Sequence, residues 1–263
     1  MSLVPRESPA EGTRETVRKV LLAAGALSSL LYVVTADVVA ASLWESYSRT
    51  GDMVSKLFAV GAPGRPLVLV LMGLYTMLFI AFGFGVRASA HINHALRVSA
   101  ALLIGYGLWN IVTWFFPLDL NNDASVPGHI VVTNVQLALM IAAMGYAAAA
   151  FRGWLRWYSI TSLLASVIFG ALAFMFAAQA PHLVLGIGER ISIGAFLLWV
   201  AVLAGALWRR PGDAPARIAD GPRRSSAATR AYDWIYERCA GQPRDHGRDR
   251  ETDISQPPGS SAG

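Results

Sequence analysis

The sequence predicts an all-α fold: a polytopic membrane bundle of six transmembrane helices with both termini cytoplasmic. Three observations carry that expectation. Hydrophobic residues make up 54% of the chain and charged residues only 15%, against about 25% charged in ordinary soluble domains, and the mean hydropathy is +0.45. Six apolar runs, 20–41, 66–86, 98–116, 129–151, 158–178 and 191–208, are each long enough to cross about 30 Å of hydrocarbon, which takes roughly 20 helical residues. Between Val20 and Trp208 only six acidic residues occur, Asp37, Glu45, Asp52, Asp119, Asp123 and Glu189, and all lie at or near alternate gaps between the runs.

Residues 1–19 read as a cytoplasmic N-terminal leader of alternating Glu and Arg, either a frayed helical start or a loose tail. Arg18 and Lys19 then precede the first run, whose 22 residues exceed the roughly 7–15 of a signal-peptide core, so it reads as a retained anchor. Counting from a cytoplasmic start, the gaps 42–65, 117–128 and 179–190 lie outside and 87–97 and 152–157 inside. Lys and Arg agree with that count. Arg14, Arg18, Lys19, Arg87, Arg97, Arg152, Arg156, Arg209 and Arg210 flank inner ends, whereas the outer side holds Arg49, Lys56, Arg65 and Arg190. The excess of basic residues, net +5, is therefore read as anchoring to anionic lipid headgroups, not as a nucleic-acid surface. Aromatic residues fall at the same boundaries, with Trp44, Tyr47, Trp114, Phe115 and Phe116 outside and Trp154, Trp157, Tyr158 and Trp208 inside.

Pro117 should end the third span, because it lacks a backbone donor and crowds the preceding turn. Pro127 and Gly128 then turn the chain into the fourth. The glycine pairs at 83/85, 105/107 and 186/188 lack the strand-turn-helix setting of a phosphate loop and are expected to serve close helix packing. Residues 20–208 thus form one transmembrane domain without an evident three-span duplication. From 209 to 263 the composition turns to Arg, Asp, Pro, Gly and Ser, too polar to offset chain entropy, so a disordered cytoplasmic tail is expected. Within it 227–240 carries Tyr232, Ile235, Tyr236 and Cys239 at helical spacing, enough for a short helix. Cys239 is the sole cysteine, which leaves no intrachain disulfide framework.

The candidate site follows from the cost of charge near hydrocarbon. Asp37 lies near the outer end of the first span and needs water or a partner. Asp119 follows Pro117, and His129 opens the fourth span across a short loop, so a carboxylate and an imidazole are expected close together. His129, Thr133 and Gln136 share one face of that span and should point into the bundle; Asn110 and Thr113 lie on the third span. Glu189-Arg190 begins the last span, and an outer Arg against the positive-inside trend suggests a specific anion, Asp37 or Asp119 or a ligand. Binding candidates are therefore Asp37, Asp119, His129, Thr133, Glu189 and Arg190. For a metal, the nearest approach to a ligand set is His129, Asp119 and Asp37, with His182 the other outer imidazole; their spacing matches no established zinc motif. His91-x-x-His94, beside Arg87 and Arg97, reads as a basic lipid-facing loop. No nucleophile elbow, P-loop or facing haem histidines occur, and no cofactor is expected.

The first outer loop, Ser46-Tyr47-Ser48 through Val54-Ser55-Lys56-Leu57 to Gly61-Ala62-Pro63-Gly64-Arg65-Pro66, resembles that of an uncharacterised prokaryotic membrane family, domain of unknown function 998. Phe116-Pro117-Leu118-Asp119, His129, and Gly188-Glu189-Arg190-Ile191 with Trp199 resemble its other recurrent features. Where the family loop has Ser-Glu-Leu, this chain has Ser55-Lys56-Leu57. The resemblance implies the six-span topology and this residue shortlist, and supplies no reaction. Two expectations about function stand beside each other. One is binding of a small ligand, lipid or ion in a polar cluster on the extracytoplasmic face of a bacterial inner membrane. The alternative is a membrane-embedded, metal-assisted lipid hydrolase. Substrate and oligomeric state do not follow from the residues.

Overall fold

Six helices carry the fold of the computed structural model, which describes residues 9–177 and 185–210. They are α1 (Pro9–Val33), α2 (Arg65–Ala88), α3 (His94–Thr113), α4 (Val126–Ala150), α5 (Trp154–Ala177) and α6 (Leu185–Trp208). All six are long and apolar enough to cross a membrane, and no strand occurs among the described residues. The tail segment 227–240, His182 and residues 1–8 lie outside the described residues.

Most helices begin several residues before their apolar runs. Helical hydrogen bonding does not stop where hydrocarbon stops, and polar first turns are solvated or paired. In α1 the segment expected as a leader is helical from Pro9, with Glu15 meeting Arg18 at 2.5 Å and Lys19 at 3.3 Å, the i, i+3 and i, i+4 spacings that bring side chains together along a helix. At the other extreme α3 stops at Thr113, and Trp114, Phe115 and Phe116 close with tighter i→i−3 bonds before Pro117.

Each helix packs against its neighbours in the chain, and α6 closes the circuit against α1 while touching α2. Where α1 meets α2 the backbones approach closely: a side chain at Gly85 would lie 2.9 Å from the backbone of Leu21 and Leu22. The interior is aromatic. Phe79 packs against Phe82, Tyr106 and Phe196, and Phe196 stacks on Trp199 at 5.9 Å. Trp199 is fully buried and donates its indole N–H to Ser159 Oγ at 3.0 Å, so the ring is buried without an orphaned donor.

Elsewhere hydroxyls and amides tie helix to helix. Ser29 Oγ donates to Leu197 O (2.9 Å), Ser99 Oγ to Ala143 O (2.8 Å), and Ser166 and Ser192 each donate to the other's carbonyl. Asn110 donates to Thr76 Oγ1 at 2.6 Å and accepts from Gln136 at 3.3 Å, linking α2, α3 and α4. Bonds of this kind contribute about 0.6 kcal/mol each on average, so they set register more than they set stability.

Arg18, one of the nine basic residues read as lipid anchors, is not placed as one. Its side chain is turned inward and the residue is 5% exposed. Nη1 donates to Leu207 O at 3.0 Å and Ser89 Oγ at 3.2 Å, and Nη2 to Arg210 O at 2.9 Å. The last turn of α6 ends in carbonyls with no helical partner and a negative dipole end, and a guanidinium satisfies both needs. The two chain ends of the bundle are thereby pinned together on one side.

Candidate functional site

At the opposite side, α1 does not end as an α-helix. Val34–Ala40 continues it as a π-helix, and Ala41 N–H reaches back to Ala36 O. Wider turns of this type often occur at functional sites, and Asp37 sits in the middle of this one. Arg190 Nε donates to Asp37 Oδ1 at 2.7 Å, with the Asp37 side chain 34% and the Arg190 side chain 19% exposed. The expected partner for the outer arginine is thus Asp37 rather than Asp119. Asp37's own carbonyl accepts from Arg49 Nη2 at 3.0 Å.

The rest of the Arg190 guanidinium binds the loop between α1 and α2 and a carbonyl one turn back on α6. Nη1 donates to Arg49 O at 2.6 Å and to Gly186 O at 3.2 Å; Nη2 donates to Tyr47 Oη at 2.8 Å. Tyr47 Oη in turn donates to Met53 O at 3.1 Å. Burial pushes the Tyr47 phenol pKa up, outweighing the Arg190 contact that lowers it, so the hydroxyl keeps the proton it donates. Next along α6, Glu189 Oε2 accepts the Val54 N–H at 2.5 Å. Val54–Phe58 is a 3-10 turn with no side-chain cap of its own, and Glu189 supplies that cap from another helix. Gly186 N–H donates to Thr50 O at 3.0 Å. Gly186, Glu189 and Arg190 therefore strap residues 47–58 onto the first turn of α6.

A cavity of about 50 Å³ lies beside the ion pair, lined by Tyr32, Val33, Asp37, Val54, Arg190, Ile193, Gly194 and Leu197. Asp37 Oδ1 is held by Arg190, whereas Oδ2 makes no hydrogen bond among the described residues.

Asp119, His129 and Thr133 belong to a second place, the turn from α3 into α4. Leu118 O and Leu120 N bracket Val60 in a two-residue parallel bridge. Asp119 N–H donates to Ser125 Oγ at 2.9 Å, and its Oδ1 accepts from Asn121 N–H at 2.9 Å, a local turn motif. His129 Nδ1 lies 3.2 Å from Phe116 O, which places the proton on that nitrogen. An open cleft of about 260 Å³ here is lined by Phe115, Phe116, Asp119 and Ser125 among others. The expected inward polar face of α4 is only partly present. Gln136 reaches Asn110, but Thr133 is exposed and donates to His129 O at 2.7 Å. A hydroxyl satisfied by its own helix needs no inward partner.

The metal expectation does not assemble. Among the described residues no three His, Cys, Asp or Glu side chains come together to hold an ion. Asp37 sits between α1 and α6, whereas His129 and Asp119 sit at the α3–α4 turn, and α4 packs on α3 and α5.

Sequence reasoning missed Tyr47, Arg49 and Gly186 as parts of the site. Tyr47 looked like an interfacial aromatic and Gly186 like a helix-packing glycine. For the π-helix, Val-Thr-Ala-Asp-Val-Val-Ala offers no signal.

No curated protein and no solved structure matches the chain. The family model described as "Protein of unknown function (DUF998)" matches residues 6–206, which takes in all six helices almost to the end of α6. That match, over well more than half of the 263 residues, agrees with the resemblance read from the loop and helix-entry motifs, and the chain belongs to the DUF998 family.

Proposed function

We propose that the chain is a multi-pass protein of a bacterial inner membrane whose cavity beside Asp37 and Arg190 binds a small cation or hydrogen-bond donor arriving from the extracytoplasmic side. The orientation rests on the distribution of Lys and Arg, which gathers at the end carrying both termini. The binding reading rests on one observation: a carboxylate held by an arginine at the break in α1, its second oxygen without a hydrogen bond among the described residues, lines a cavity. Size selects the ligand class. At about 50 Å³ the space suits a few waters or an ion, each water needing roughly 10–15 Å³, and falls far below the roughly 300–1,000 Å³ of organic-ligand sites. Lipid is therefore disfavoured as the occupant, and no observation favours hydrolysis.

The test is thermal unfolding of purified protein followed by tryptophan fluorescence, titrating sodium, potassium or ammonium chloride against N-methylglucamine chloride at fixed ionic strength. One small cation is expected to raise the midpoint saturably. Gly194 lines the cavity, and a Cβ there meets nothing within 4 Å, so Gly194→Leu should carry its branched end into the space; the cation shift is read against that variant's own unliganded midpoint, which overpacking can lower. Gly194→Leu is expected to abolish the cation shift, and Asp37→Asn to weaken it. An equal shift in Gly194→Leu and wild type, or no saturable shift with any of the three cations, would overturn the reading.

A further inference from the structure

The outer half of α4 turns an amide toward the membrane. Asn134 is exposed, and it donates one N–H to Ile130 O at 2.9 Å. Its carbonyl oxygen and second N–H have no partner among the described residues. Asn134 lies eight residues into a 25-residue helix, about 12 Å from its start; a hydrocarbon layer of roughly 30 Å centred on that helix would hold it about 8 Å inside. Lipid tails at that depth offer neither donor nor acceptor. The opposite side of the same helix is satisfied, with Gln136 on Asn110 and the Trp109 indole N–H on Val132 O at 2.8 Å. Inward rotation of α4 to shelter Asn134 would break both contacts.

We infer that Asn134 marks a homodimer seam, with α4 of one copy packing in parallel against α4 of a second. Two copies inserted in the same orientation are related by a two-fold axis along the membrane normal, which makes the two α4 helices parallel and apposes each residue to its own counterpart. An amide is self-complementary under that operation: the free N–H of each Asn134 meets the free carbonyl oxygen of the other. Pro127, Val131, Asn134 and Ala138 are all exposed and alternate at spacings of four, three and four, the seam spacing of a parallel pair in which one polar residue fixes register. Ala138, directly below the amide, allows the backbones to come close. A partner of other sequence would have to supply both a donor and an acceptor at the same depth, which the second copy does by symmetry.

The experiment is disulfide mapping in intact membranes. Cys239 is the only native thiol, so Cys239→Ser gives a clean background. Val131→Cys and Ala138→Cys, both keeping Asn134, are expected to give a product of twice the monomer mass with copper phenanthroline and oxygen. Met77→Cys, 71% exposed on α2, should not. Adding Asn134→Leu to Ala138→Cys should weaken association roughly 3- to 20-fold, the range one or two interhelical hydrogen bonds span, read as the loss of cross-linking on dilution into excess lipid. No dimer at 131 or 138, an equal yield at 77, a product whose mass includes another protein, or an unchanged dilution series with Asn134→Leu would each overturn the inference.

Discussion

Arg190→Leu is expected to detach residues 47–58 from α6 and to lower stability by about 2–3 kcal/mol. Removing one partner of a well-buried ion pair costs about 3–5 kcal/mol, and the partial exposure of this pair, 19% for Arg190 and 34% for Asp37, brings the figure down. The loss reaches beyond the pair, because the same guanidinium serves Arg49 O, Gly186 O and Tyr47 Oη. Hydrogen exchange should therefore rise across 47–58 and remain low in α2 and α3. Arg190→Lys keeps the charge opposite Asp37 but has no planar fork to span four acceptors, so it should fall between wild type and Arg190→Leu. Asp37→Asn should cost least, since an amide oxygen still accepts from Nε. If Asp37→Asn destabilised the loop as much as Arg190→Leu, the arrangement would be an ion pair with incidental loop contacts, and the strap described above would be wrong.

How far residues alone reach is visible in these same groups. The six spans are legible because each must be an unbroken apolar run; nothing else can be exposed to lipid tails. Asp37 and Arg190 are legible for the complementary reason, that charges at a membrane boundary are costly and rare, and the structure pairs them at 2.7 Å. Assigning Asp119 and His129 to the same cluster required knowing which helices are neighbours. Hydropathy carries depth along each span but no lateral order, and the lateral order puts α4 against α3 and α5. Arg18 failed for a related reason. A basic residue at a helix end satisfies the positive-inside pattern whether it reaches a headgroup or caps the carbonyls of α6, as it does here.

Gly186 carries the second large expected effect. A Cβ there would press on three backbone oxygens, Asp52 O, Arg49 O at 2.7 Å and Thr50 O at 2.9 Å. None is the end of a flexible side chain, so relief requires the loop to move away from α6. Forced overpacking of this kind costs about 1–3 kcal/mol and sometimes more, and Gly186→Val should exceed Gly186→Ala. Gly194→Ala, on the same helix with nothing within 4 Å of its Cβ, is the matched control and should be stable to within about 0.5 kcal/mol. A double-mutant cycle separates a local clash from the proposed strap. Displacing Arg49 O also removes an acceptor of Arg190 Nη1, so the two sites act on one element and their costs should not add. In an Arg190→Leu background the loop is already released, and Gly186→Ala should then cost much less than in wild type. Full additivity would mean that the first turn of α6 tolerates the methyl group or rejects it independently of the loop, and that Gly186 is there for helix packing, as the sequence alone suggests.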